Sequence, residues 1–215
     1  MKREKARRQK VKQRRFSMIR DFQLADVVTL LNGFAGMGAV LATMKFLAEG
    51  TPGFLWLAFA LLPCALIFDV ADGRIARWRR KSSPLGQELD SLADLVSFGV
   101  APASLAFALG MQGGWDAAVL IYFVACGISR LARYNTTAAA LADQAGKVKY
   151  FEGTPIPSSL LLVALLAILA ANGLFGARLP LGEVLVGPWR FHPLVLLYAL
   201  SGSAMISKTL RILKP

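Results

Sequence analysis

Six apolar stretches, near residues 25–48, 53–77, 84–110, 115–135, 155–173 and 190–210, leave this 215-residue chain few architectures to adopt. Each is long enough to cross, or nearly cross, about 30 Å of hydrocarbon. Hydrocarbon offers an exposed backbone no hydrogen bonds, so such segments must be helical. With 55% apolar residues and a mean hydropathy of +0.51, the chain is expected to be an all-α, polytopic integral membrane protein with six transmembrane helices, not a soluble globule. Residues 23–215 form the expected membrane domain, preceded by a basic arm, 1–22. The stretch Phe16–Phe22 could lie as a short interfacial helix or act only as a topology tail. Residues 1–15 have no apolar core and so do not read as a signal peptide.

The basic residues set an expected orientation. The arm, residues 74–81, residues 130–149 and the C-terminal Lys208, Arg211 and Lys214 together hold 22 Lys and Arg, all on one side of the proposed spans. The other side has Arg178 and Arg190, with Lys45 near the outer end of span one, placed to snorkel. Positive charge marks the cytoplasmic side, so both termini are expected there, in a cell (inner or plasma) membrane. The net charge of +12 is expected to meet anionic lipid, with no nucleic-acid partner. Cys64 and Cys126 lack metal-type spacing and read as small core residues.

The chemistry concentrates between spans two and three, in DVADGRIARWRRKSSPLGQELDSLAD, residues 69–94. Asp69 and Asp72 are spaced i, i+3, and Gly73, Ala76 and Arg77 continue that side. Gly86, Asp90 and Asp94 repeat at i, i+4, i+8, again on one face. Four carboxylates near lipid repel one another and are costly to bury. No lysine shares their faces, so a cation is implied, and hard oxygen ligands suit Mg²⁺ or Mn²⁺, two of them for four acids. The alternatives are an ion-paired helix end, using the neighbouring arginines, and an intramembrane cation or proton carrier. A carrier requires acids spread through the membrane depth, and all four sit near one face.

The pattern Asp69-x-x-Asp72-Gly73-x-x-Ala76-Arg77, then Gly86-x-x-x-Asp90-x-x-x-Asp94, resembles the signature of the CDP-alcohol phosphotransferases, matching at all eight positions. The likeness runs from about Asp26 to Lys208. Ser91 to Ala103, with its SFGVAPA run, narrows it to the membrane-spanning phosphatidylserine synthase branch. Arg130-Leu-Ala-Arg133-Tyr134-Asn135 and Phe151-Glu-Gly153-Thr154-Pro155-Ile156-Pro157-Ser158 also resemble that branch, although Tyr134 and Thr154 replace its commoner Phe and Leu.

This resemblance implies metal-dependent transfer of a phosphatidyl group from CDP-diacylglycerol to L-serine, releasing CMP. Asp69, Asp72, Asp90 and Asp94 would hold the metals, with Asp94 also the proton acceptor. Gly73, Ala76, Arg77, Ser83 and Gly86 would meet the CDP group. The family often has Pro-Asn-x-x-Thr in span one; here Ala25-Asp26-x-x-Thr29 stands instead, leaving Thr29 and Asn32 as donor-binding candidates or helix contacts. Gly33, Gly36 and Gly38 allow close helix packing there.

Arg130, Arg133, Asn135, Gly153 and Thr154 are the acceptor-binding candidates. The two arginines could hold a carboxylate or a phosphate, or simply anchor the helix end. Pro155 and Pro157 fix a rigid entry to span five, or an ordinary helix start. Glycerol phosphate or inositol phosphate remains a rival acceptor, helped by Lys147 and Lys149, and an archaeol-type lipid a rival donor. Trp189, Phe191 and His192 read as an interfacial belt, and a homodimer through spans five and six is expected.

Overall fold

The computed structural model describes residues 24–79, 84–142, 150–207 and 211–213. The basic arm, Ser83, Lys147, Lys149 and Lys208 lie outside the described residues. Helix α1 runs Leu24–Glu49 and α2 runs Pro52–Arg79. The third apolar segment comprises α3, Pro84–Asp94, a π-helical turn, Leu95–Val100, and α4, Ala101–Ala108. Helix α5 is Gly114–Ala142. A 3₁₀ turn, Ile156–Ser159, leads into α6, Leu160–Ala171, and a second, Pro193–Val195, into α7, Leu196–Ile206.

The six expected segments therefore coincide with helical stretches, and the chain is a helical, multi-pass membrane protein. Four are long and apolar enough to span: Leu24–Glu49, Pro52–Trp78, Leu85–Ala108 and Gly114–Thr136. Ile156–Ala171 and Pro193–Ile206 are shorter. A purely helical fold also needs a small correction. Strand β1, Tyr150–Glu152, pairs antiparallel with β4, Arg211–Leu213, and β2, Val184–Val186, pairs with β3, Trp189–Phe191. The second ribbon lies between the fifth apolar stretch and the helical part of the sixth.

Why α1 forms the centre follows from its residue sizes. Its buried stripe is Ala25, Asp26, Thr29, Asn32, Ala35, Gly36, Ala39, Ala42, Thr43 and Phe46, nearly all small. The opposite side exposes Leu31, Phe34, Leu41 and Met44. In lipid, apolar bulk gains nothing by facing inward, so small residues mediate the helix contacts. Accordingly α1 packs against α2, α3, the π turn and α4. A Cβ at Gly36 would run into Ser97, lying 2.7 Å from its Cα, so only glycine allows this approach. Elsewhere Phe98, Leu105, Phe123, Tyr198 and Met205 fill the core. Tyr198 donates its hydroxyl hydrogen to the Pro102 carbonyl at 3.0 Å, tying α7 to α4.

Two expectations change, those for His192 and Cys64. His192 is buried, not part of a belt; Trp115 and Trp189 instead stack edge-to-face at 5.3 Å. Cys64 is exposed on α2, whereas Cys126 is buried. Lys45 lies 3.6 Å from Glu49 and 4.5 Å from the centre of the Phe54 ring, so its charge has local partners as well as water.

Candidate active site

Helices α2 and α3 bring carboxylates together because each displays its acids at helical spacing on one face. Asp69, Asp72 and Asp90 each offer an oxygen, and the three oxygens lie within 4.8 Å of one another. Asp72 is buried and the other two are half-buried. Among the described residues no lysine or arginine forms an ion pair with any of them. Asp90 Oδ1 is buried with no hydrogen-bond partner among the described residues. A buried carboxylate oxygen without a donor is costly, and three such groups at close range compound the cost. Among the described residues, then, no ion-paired helix end forms. A hard divalent cation fits this donor set, because it would meet the unpartnered oxygen and offset the repulsion.

The expected fourth ligand, Asp94, stands outside this group, one turn further into the span. It is 8% exposed, and its Oδ1 accepts a hydrogen bond from Asn32 Nδ2 at 2.9 Å. Thr29 makes the matching contact to the other helix: its hydroxyl lies 2.5 Å from Asp72 Oδ2 and 3.1 Å from the Ala25 carbonyl. Thr29 and Asn32, spaced i, i+3 on α1, therefore each hold one carboxylate. Both are buried; the carboxylates take the Thr29 hydroxyl and the Asn32 amide nitrogen, while Asn32 Oδ1 has no hydrogen-bond partner among the described residues.

Gly73 and Arg77 adjoin: a Cβ at Gly73 would lie 3.8 Å and 3.9 Å from the two terminal guanidinium nitrogens. Arg77 is exposed at the helix end, while Ala76 and Gly86 are half-buried beside the acids. The bare backbone at these small residues leaves room at the cluster for a ligand, with a guanidinium suited to phosphate nearby.

The acceptor-side candidates divide. Arg130 is half-buried, and its Nε has no partner among the described residues. Thr154 Oγ1 is in the same condition, although the Thr154 amide donates to the Ala204 carbonyl at 3.2 Å. Arg133 reaches the Ile206 carbonyl at 3.5 Å. Asn135 is engaged by α3: it accepts from Gln87 at 3.3 Å and donates to Glu88 at 3.3 Å and Ser91 at 3.1 Å. Gly153 has a backbone reason to be glycine. Its φ is +75°, and a Cβ there would collide with the Met205 carbonyl oxygen.

Sequence reasoning passed over two buried polar residues near the site. Asp26 is 4% exposed, one turn from Thr29 on the same stripe, and its place in the span-one motif was the available clue. Ser97 is fully buried and donates to the Asn32 carbonyl at 3.0 Å. Only the SFGVAPA run pointed to it. It also overlooked Asp116 at the far end of α5, which is fully buried. Asp116 accepts from Gly113 N at 2.9 Å and His192 N at 2.8 Å, with His192 Nδ1 at 2.6 Å. Acids are thus gathered at the ends of the spans instead of being threaded through the membrane, unlike an ion path.

A helical membrane domain carrying this aspartate motif on adjoining span ends defines a class of lipid-headgroup transferase. The chain belongs to the CDP-alcohol phosphatidyltransferase family, whose model matches residues 22–192. It is similar to the CDP-diacylglycerol–serine O-phosphatidyltransferase of Saccharomyces cerevisiae, 45% identical over 207 residues, or 93% of this chain and 74% of the yeast protein. The Mycobacterium leprae protein of the same name is 38% identical over 72% of this chain and 49% of its own length. That of Methanocaldococcus jannaschii is 35% identical over 69% of this chain and 62% of its own. The chain therefore spans about half to three quarters of these relatives.

Proposed function

We propose that this chain transfers a phosphatidyl group from CDP-diacylglycerol to the hydroxyl of L-serine, releasing CMP. The observation that carries the reading is the group of three carboxylates with no ion-pair partner among the described residues, with a fourth, Asp94, held one turn deeper. The relatives' shared name supports serine as acceptor. Asp69, Asp72 and Asp90 would hold Mg²⁺ or Mn²⁺, as a pair when the diphosphate adds its oxygens. When bound, such ions supply charge neutralisation on the diphosphate and make CMP a better leaving group.

The chain's own groups do the rest. Arg77, beside Gly73, binds the diphosphate; Ala76 and Gly86 leave the space it needs, and Ser83 is a further candidate contact. Asp94 takes the serine hydroxyl proton as the oxygen attacks the phosphorus bearing diacylglycerol. The new bond is serine oxygen to phosphorus, and the bond broken joins that phosphorus to the bridging oxygen, which leaves on CMP. A carboxylate is a weak base for an alcohol, so proton transfer must accompany attack. Burial and the Asn32 contact hold Asp94 in place for it. Arg130 and Thr154, each with an unpartnered buried atom, are the candidates for the serine carboxylate and amine surroundings.

Six spans, cytoplasmic termini, a cytoplasmic-facing site in the plasma or inner membrane and a homodimer complete the proposal. The charge asymmetry of the connections supports the orientation. The test is CMP release from purified protein with CDP-diacylglycerol and Mn²⁺, adding acceptors singly. Release that requires L-serine and stops with EDTA is expected. Release only with glycerol phosphate would overturn the acceptor while keeping the chemistry.

A further inference from the structure

Asn32 reads in sequence as a group for the nucleotide, yet its surroundings assign it elsewhere. It is fully buried, and Nδ2 is spent on Asp94 Oδ1 at 2.9 Å. Asp94 makes this one hydrogen bond among the described residues, which leaves its second oxygen for a proton. The amide orientation is not arbitrary. Turned the other way, the Asn32 oxygen would face an acceptor-only carboxylate.

Asn32 is itself held from behind. Its carbonyl accepts the Ser97 hydroxyl at 3.0 Å, and Ser97 sits in the π turn that begins directly after Asp94. Two glycines of α1 bracket the contact. A Cβ at Gly33 would lie 3.5 Å from Ala93 Cβ, and at Gly36 one would overlap Ser97. The helices are thus in register over two turns, with Asn32 meeting Asp94 through its side chain and Ser97 through its carbonyl.

We infer that Asn32 is a positioning residue: held to the π turn through Ser97, it fixes Asp94 for proton transfer and does not itself touch the donor. The inference rests on the reading of Asp94 as proton acceptor. A carboxylate free to rotate away from the attacking hydroxyl loses alignment, and misplacement on the order of 1 Å can cost about 10²-fold in rate.

The test compares kcat and KM in the full-length protein in detergent with Mn²⁺. Asn32→Leu keeps the branching at Cγ and removes the N–H donor. The expected result is a kcat about 10²-fold lower, with the KM for CDP-diacylglycerol unchanged within about twofold. A donor KM raised tenfold at normal kcat would show that Asn32 binds the donor, and unchanged kinetics would also overturn the inference. Should Asn32→Leu fail to fold, Ser97→Ala tests the same linkage: a several-fold lower kcat at constant donor KM is expected, and an unaltered kcat sinks it. Asp94→Asn, measured alongside, separates the two layers. Substantial turnover in that variant removes the base reading. An inactive Asp94→Asn beside a fully active Asn32→Leu removes only the positioning role.

Discussion

Two ends of this molecule bury acids, and they do so in opposite ways. At the N-terminal end of α5, Asp116 receives two backbone N–H groups and lies against the His192 ring nitrogen, so its oxygens are fully served. On α2 and α3, Asp69, Asp72 and Asp90 face one another, and Asp90 keeps a buried oxygen with no donor among the described residues. The first arrangement holds a loop and ribbon against a helix. The second is incomplete without a cation. What distinguishes a structural acid from a functional one here is not burial but whether the protein has already supplied its partners.

Several substitutions would break or sharpen that contrast. The largest effect is expected for Asp90→Asn: CMP release falls by about 10³-fold or more, because the cation that would neutralise the diphosphate loses one of its carboxylate ligands. Its melting temperature without metal should hold or rise, since a repulsive charge is removed. Mn²⁺ should stabilise the parent protein and the variant much less; equal metal stabilisation in both would remove Asp90 from the cation site.

Next is Thr29→Val, which keeps shape and deletes the hydroxyl that orients Asp72. Metal affinity or turnover should drop about 10–100-fold, read from a Mn²⁺ titration of CMP release. An unchanged titration would mean that Asp72 is held without Thr29. Asp116→Ala should do the reverse. Stability falls by about 2–4 kcal/mol as buried donors lose their acceptor, while kcat of the folded fraction stays normal. A rate loss exceeding the loss of folded protein would join the two ends functionally. Smallest is Glu183→Gln, at the exposed 3.4 Å pair with Arg190, which should shift stability by under about 0.5 kcal/mol.

Much of the acid cluster on α2 and α3 was legible in the chain because its logic is local. Asp69 with Asp72, and Gly86 with Asp90 and Asp94, repeat at helical spacing, so a shared face follows from the sequence. The apolar lengths likewise marked the α-helices among the described residues. The rest depended on partners far away along the chain. Asp116 reads as an ordinary charged residue at a helix start until His192 folds beside it. Asn135 looks open for a ligand until α3 presents Gln87, Glu88 and Ser91 to it. Thr29 and Asn32 were visible as polar groups in an apolar span, but not that each would reach a different acid-bearing helix. Cys64 was misplaced for a related reason: in lipid an apolar residue has no preference for the inside, so composition alone does not assign its side.

The π turn at Leu95–Val100 has a mechanical reading of its own. Each residue of an α-helix advances the face by about 100°, so a turn wound with i→i+5 bonds acts as a phase shifter. Before it, the helix is keyed to α1 through Asn32 and Asp94; after it, to α7 through Pro102 and Tyr198. The two locks cannot both engage on a helix of uniform pitch carrying these same residues. Deleting one residue between 95 and 100 would leave hydropathy and span length almost untouched. It would nonetheless throw one lock out of step with the other, so this span should tolerate changes of composition far better than changes of count.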